Sequence, residues 1–154
     1  MQDYENMVHE CYDLLIDKYK YQFAKYDVDE FFLVGDRFAL YVFVDRRDRR
    51  ADVWYISLDL MGNIKTYTLM HIQKQRYKQE DFALYGNPKD IDGRIKSDMT
   101  VASIGLLKRC QDILSGDKNW LTNYPDSGTY SRHIARFLAP YFQRQGYYVE
   151  PVEN

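Results

Sequence analysis

Between residues 31 and 69 short apolar runs alternate with turn residues, and this pattern limits the possible folds more than any other stretch of the chain. Phe38-Ala39-Leu40-Tyr41-Val42-Phe43-Val44 is β-branched and aromatic, too short for a comfortable helix, and bounded by Gly35-Asp36 and by Asp45-Arg46-Arg47-Asp48. It is expected to be a strand. Val53-Trp54-Tyr55-Ile56-Ser57-Leu58 has the same chemistry, Ile64-Lys65-Thr66-Tyr67-Thr68-Leu69 follows the turn Met61-Gly62-Asn63, and Phe31-Phe32-Leu33-Val34 precedes Gly35. Links this short favour antiparallel neighbours. The reading is an antiparallel meander of about four strands over residues 31–69.

Alternation predicts which faces are covered. In the second run Phe38, Leu40, Val42 and Val44 share one face while Ala39, Tyr41 and Phe43 share the other, so neither face is polar and both need cover. The third run is more one-sided, with Ser57 and Asp59 expected near solvent. Cover comes from helices on either side of the sheet in sequence, which gives an α+β class.

In residues 3–26, Val8, Tyr12, Leu15, Ile16, Tyr19, Phe23 and Tyr26 recur at intervals of three and four and predict an amphipathic N-terminal helix. Two C-terminal helices are expected as well. One spans about residues 98–115, capped by Ser97 or Asp98 and stopped by Gly116; the other spans about 129–145 and is kinked or broken at Pro140. Trp120-Leu121 suits a short helical turn, and residues 147–150 suit an edge strand. Residues 70–96 have irregular apolar spacing and turn signals at Gly86-Asn87-Pro88 and Asp92-Gly93, so no element is assigned there. No linker or repeat divides the chain, and residues 1–154 are read as a single α+β domain.

The 154 residues include 45% hydrophobic and 29% charged side chains, a balance suited to a buried core and not to disorder. No apolar run approaches the roughly 20 residues needed to span a bilayer, and the start Met1-Gln2-Asp3-Tyr4-Glu5 lacks the basic and apolar blocks of a secretory signal. A cytoplasmic location is expected. Cys11 and Cys110 sit in helical apolar patterns and read as reduced thiols.

A net charge of −2 argues against a surface devoted wholly to nucleic acid, but the charge is unevenly placed. Residues 1–30 carry eight acids and three bases, whereas residues 31–79 carry five and nine. Glu10, Asp13 and Asp17 form one ridge on the first helix, and Asp27, Asp29 and Glu30 extend the same sign into the next loop. Arg46, Arg47, Arg49 and Arg50 crowd a hairpin tip, where forked guanidinium groups suit phosphate or carboxylate, or simply pair with Asp45 and Asp48.

Signatures of chemistry are sparse. The chain has no Gly-x-Ser-x-Gly elbow, no phosphate loop, no dinucleotide fingerprint and no metal-ligand spacing; Asp90-Ile91-Asp92-Gly93 lacks the remaining ligands of a calcium loop. No cofactor and no metal are expected. His71 and His133 are the candidates for a dispersed catalytic site. Tyrosine accounts for 15 residues, not all of them expected in the core; its flat body with a polar tip suits a protein interface or, equally, a core-edge position from which the tip reaches solvent.

In size, leading helix, meander and patchy charge the chain resembles the small cytoplasmic immunity proteins that neutralise bacterial toxin domains, many of which pack helices on an antiparallel sheet. The resemblance implies a protein inhibitor that masks its partner's active site, and not an enzyme. Under it Glu10, Asp13, Asp17, Asp27, Asp29 and Glu30 stand in for phosphates before a nuclease-like toxin, with Tyr12 or Tyr21 as anchors. The alternative reading is a nucleic-acid or phospho-ligand binder that uses Arg46, Arg47, Arg49, Arg50 and Lys65.

Overall fold

A computed structural model describes residues 2–83 and 89–152. Its elements run α1 (Glu5–Tyr19), β1 (Gln22–Asp27), β2 (Glu30–Gly35), β3 (Phe38–Asp45), β4 (Arg50–Leu58), β5 (Ile64–Thr68), α2 (Met70–Arg76), α3 (Gln79–Ala83), α4 (Ile91–Arg109), α5 (Gln111–Leu114), a 3-10 turn (Asn119–Leu121) and α6 (Arg132–Arg144). The class is α+β, with the five strands in chain order in one antiparallel sheet. The Gly86-Asn87-Pro88 turn, Leu84 and Tyr85 lie outside the described residues.

Period-two alternation sorts the sheet into two cores. Phe31, Leu33, Phe38, Leu40, Val42, Val53 and Tyr55 pack under α1 and α4, against Val8, Tyr12, Leu15, Met99 and Leu106. The other side carries Phe32, Val34, Ala39, Tyr41, Ile56 and Leu58, covered by Ile134, Leu138 and Phe142 of α6. Both faces are buried, as the runs require.

Several sequence expectations need correction. The first helix stops at Tyr19, because Lys20 takes a left-handed conformation (φ 59°) as its C-cap and turns the chain back. Residues 22–27 then form a fifth strand that pairs Phe23 with Leu33 and Ala24 with Phe32, where a continuing helix was expected.

Residues 70–96 are largely helical. Asp90, just before the Asp92-Gly93 turn signal, accepts a hydrogen bond from the Gly93 amide at 2.6 Å and caps α4, which starts seven residues before Asp98. The short α3 is held to its far end, where Arg109 reaches Asp81 (3.0 and 3.1 Å), and α2 to the following α5, where Arg76 forks onto Asp112 (2.6 and 3.1 Å).

Pro140 lies within α6, exposed on its outer side, and the helix continues past it. Residues 147–150 form no strand; they cross the β4–β5 turn with one bond, from the Glu150 amide to Gly62 O (2.9 Å).

Ser57, expected near solvent, is buried beneath a lysine that the sequence reading did not single out. Lys118 Nζ donates to Ser57 Oγ (2.6 Å), Arg37 O (2.8 Å) and Leu58 O (3.3 Å), which ties the turn after α5 to the end of β4. Burial pushes this ammonium down to about 8, with the nearby Arg37 charge acting in the same direction. Replacing it by methionine strips Ser57 Oγ of its partner, while Arg37 O keeps the Leu58 amide (3.0 Å) and Leu58 O keeps Arg37 Nη2 (3.3 Å). Lys118→Met is expected to cost about 2 kcal/mol in urea unfolding, since the stranded Ser57 hydroxyl carries a desolvation cost and the two carbonyls each lose a charged donor.

Candidate functional site

The sheet brings the acidic loop and the basic tip to the same end. In the β2–β3 register Glu30 faces Phe43, so the β1–β2 turn and the β3–β4 tip lie side by side. Tyr4 N donates to Val28 O (2.9 Å), which adds the N-terminus to this end. Charges that look like separate patches in sequence are paired here. Arg46 Nε donates to Asp29 (2.9 Å), its Nη2 donates to Gln2 O (2.6 Å), and its guanidinium lies 5.3 Å over the Tyr4 ring. Arg50 forks onto Asp98 of α4 with two bonds of 2.7 Å, and the same carboxylate accepts from Ala51 N at 3.0 Å.

The second of these clamps has a local cause. The β4–β5 ladder ends at the Trp54–Thr68 pair, so the edge of β4 beyond it has no neighbouring strand. There Asp98 takes the amide of Ala51, and Asp52 takes that of Val53 (2.8 Å). Side-chain carboxylates thus replace a missing strand. The tip itself is rigid: Asp45 Oδ1 accepts from the amides of Arg47 (3.0 Å) and Asp48 (3.1 Å), and Arg49 holds a positive φ of 57°. Arg47 and Arg49 are exposed and make no ion pair among the described residues. Lys65 is not part of this group, because its partner in the ladder is Ser57, toward the opposite end of the sheet.

Among the acids, carboxylate oxygens of Asp27, Asp29 and Glu30 lie within 4.8 Å of one another. Asp27 accepts from the Val28 amide (2.7 Å), Asp29 has Arg46, and Glu30 accepts from the Tyr41 hydroxyl and meets His133 Nε2 at 3.3 Å, so all three have partners. The ridge on α1 is a different surface. Asp17 is thirteen residues along from Tyr4, roughly 20 Å at the rise of an α-helix. Glu10 pairs with Lys96 (2.7 Å) and Asp13 with His9 Nδ1 (2.7 Å). Tyr12 and Tyr21 are core residues, 1% and 7% exposed, and the Tyr21 hydroxyl donates to Leu114 O at 2.5 Å. Neither offers a surface anchor.

The apolar side chain that α1 does present is Leu14, 75% exposed. It borders a cavity of about 460 Å³ between α1 and α4, lined also by Glu10, Cys11, Lys96, Thr100 and Ile104. Burial pushes the Cys11 thiol up, and that of Cys110 up to about 11, so neither is a ready thiolate at neutral pH.

A larger polar cleft of about 470 Å³ opens beside the bare edge of β4, where Arg50, Asp52, Arg94 and Asp98 meet Gln73, Ser97 and the ring of Phe82. Burial pushes the Asp52 carboxyl up, with the neighbouring Asp98 charge adding to it. His133 joins a relay from Ser131 Oγ (3.1 Å to Nδ1) to Glu30 (3.3 Å from Nε2), a hydroxyl–imidazole–carboxylate chain on open surface that ties the start of α6 to β2. His71 stacks edge-on against Tyr124, 5.7 Å between ring centres, in an open groove lined by Trp120 and Pro125.

Comparisons with protein-family models, with curated proteins and with solved structures find no match. Among the described residues no helix is long and apolar enough to cross a membrane.

Proposed function

We propose that the protein is a binding module whose α1–α4 face docks on a basic protein partner and masks its active site, as immunity proteins do to bacterial toxin domains. The observation that carries this reading is Leu14, an aliphatic side chain 75% exposed on a helix whose other long apolar residues turn inward. Glu10 and Asp17 flank it one turn away on either side, with Asp13 adjacent. A bare apolar centre inside a charged rim is the anatomy of a protein interface, in which the centre supplies affinity and the rim supplies orientation and rate of encounter. The acids of this face, Glu10, Asp13 and Asp17, select a basic partner.

In this reading Leu14 takes the anchoring role first assigned to Tyr12 and Tyr21, and Asp13 and Asp17 stand in for substrate phosphates. Co-expression with a toxin encoded beside this protein tests it. Growth is expected to be rescued by the native chain and lost with Leu14→Asp, a surface change that leaves the fold intact. Killing that the native chain does not reduce overturns the proposal.

A further inference from the structure

Of the nine large hydrophobic side chains exposed among the described residues, four gather at one place: Leu60 (89%), Met61 (73%), Tyr130 (56%) and Tyr148 (66%). They surround the β4–β5 turn. This turn is held rigidly, since Asp59 Oδ1 accepts from the amides of Met61 and Asn63 (2.9 Å each) and Asp59 N donates to Asn63 O (2.9 Å). Gly62 adopts φ +88°, and a Cβ there would stand 2.8 Å from the Tyr148 ring, so the tail is pressed against the turn. Leu60 and Met61 are therefore fixed facing solvent. Nothing in the fold of one chain accounts for two apolar side chains held out in this way.

Directly beside this knob lies a groove of about 370 Å³ with apolar walls from Ile64, Tyr130, Val149 and Val152. Its two charged lining residues are Lys65 and Glu150, and neither makes an ion pair among the described residues. Knob, groove, one cation and one anion thus share a single surface. A surface that carries both a knob and a groove, with one charge of each sign, has the self-complementarity that a closed two-fold dimer requires. We infer that the β4–β5 turn and the C-terminal tail form a homodimer interface whose occupant is a second copy of this chain.

The surface includes β5 and the tail on the α6 side of the sheet and shares no residue with the α1–α4 face, so dimerisation and partner masking succeed or fail separately. Sedimentation of the full chain up to roughly 100 μM, a range that captures micromolar complexes, provides the test. The native protein is expected to sediment as a dimer. Leu60→Asp with Met61→Asp is expected to give a monomer with unchanged circular dichroism and melting temperature. Lys65→Glu is expected to weaken the dimer about tenfold, the worth of one well-placed interface pair turned repulsive, and Lys65→Glu with Glu150→Lys to restore it. A native monomer at the highest concentration, a dimer indifferent to the turn substitutions, or an exchanged pair that fails to recover overturns the inference, as does binding to lipid vesicles in place of self-association.

Discussion

Raised to pH 11, the protein is expected to lose about 6 kcal/mol of stability from four tyrosines alone, against a usual total of about 5–15 kcal/mol. Tyr12, Tyr21, Tyr55 and Tyr77 all lie in the core between the sheet and the α1–α4 layer. Burial raises each of their hydroxyl pKa values well above the ordinary phenol value. Tyr21 and Tyr77 also spend their protons on backbone oxygens, Leu114 O and Ala102 O. The unfolded chain releases these protons near pH 10 while the folded chain keeps them. Their stabilisation is therefore complete below pH 10 and falls as pH rises above it. One phenol that ionises only on unfolding costs about 1.4 kcal/mol at pH 11, and four such groups act together.

Tyrosinate absorbance and far-ultraviolet circular dichroism, followed over the same titration, check this. The buried share of the absorbance is expected to appear in one step with the loss of helix and sheet, and Tyr12→Phe to move that step to higher pH. Smooth ionisation of all fifteen tyrosines around pH 10, with the dichroism intact, would sink the expectation.

The second large effect is expected from a single methyl group. Gly105 is buried in α4, and a Cβ there would stand 2.1 Å from Cε2 and 2.2 Å from Cζ of Tyr77. The ring cannot simply move aside, because it is buried and its hydroxyl is bonded to Ala102 O at 2.8 Å. Alanine ordinarily stabilises a helix relative to glycine by up to about 1 kcal/mol, but here overpacking and the lost hydrogen bond outweigh that gain. Gly105→Ala is expected to destabilise by about 3 kcal/mol in urea unfolding, and adding Tyr77→Leu to recover part of the loss. Equal stability of the native and alanine proteins would show that α2 packs elsewhere.

The same close approach explains why α2 was hidden in the sequence. Its docking depends on a glycine 28 residues downstream of Tyr77, and no periodicity within residues 70–77 reports it. By contrast β2 to β5 were legible, because each is a β-branched or aromatic run bounded by turn residues, and burial on both faces followed from alternation. β1 was not. Tyr19, Phe23 and Tyr26 continue the three-and-four spacing of α1, and the reversal rests on one lysine in a conformation that residue type does not announce.

The charged groups show the same division. Acidic and basic clusters were visible as composition, but their cancellation depends on Arg46 meeting Asp29 and Arg50 meeting Asp98, partners 17 and 48 residues apart. Lys118, within Gly116-Asp117-Lys118-Asn119, reads as one more solvated turn residue, and only its three oxygen acceptors reveal its role. Leu14 lies at the margin of the α1 stripe beside Leu15, and a stripe's margins are decided by the neighbouring helix and not by the helix itself.

The sheet's spatial order repeats its chain order, β1 through β5, with every neighbour joined by a short turn. During synthesis each new hairpin arm therefore meets its ladder partner as soon as it emerges, with no long loop to close first. By the time Thr68 is free, all five strands have been delivered, but only α1 among the covering helices exists. The flank that carries Phe32, Tyr41, Ile56 and Leu58 stays uncovered until α6 is translated, a helix that only begins 64 residues after Thr68. This interval leaves the nascent chain open to wrong association, and it ends when Leu138 and Phe142 close over the sheet.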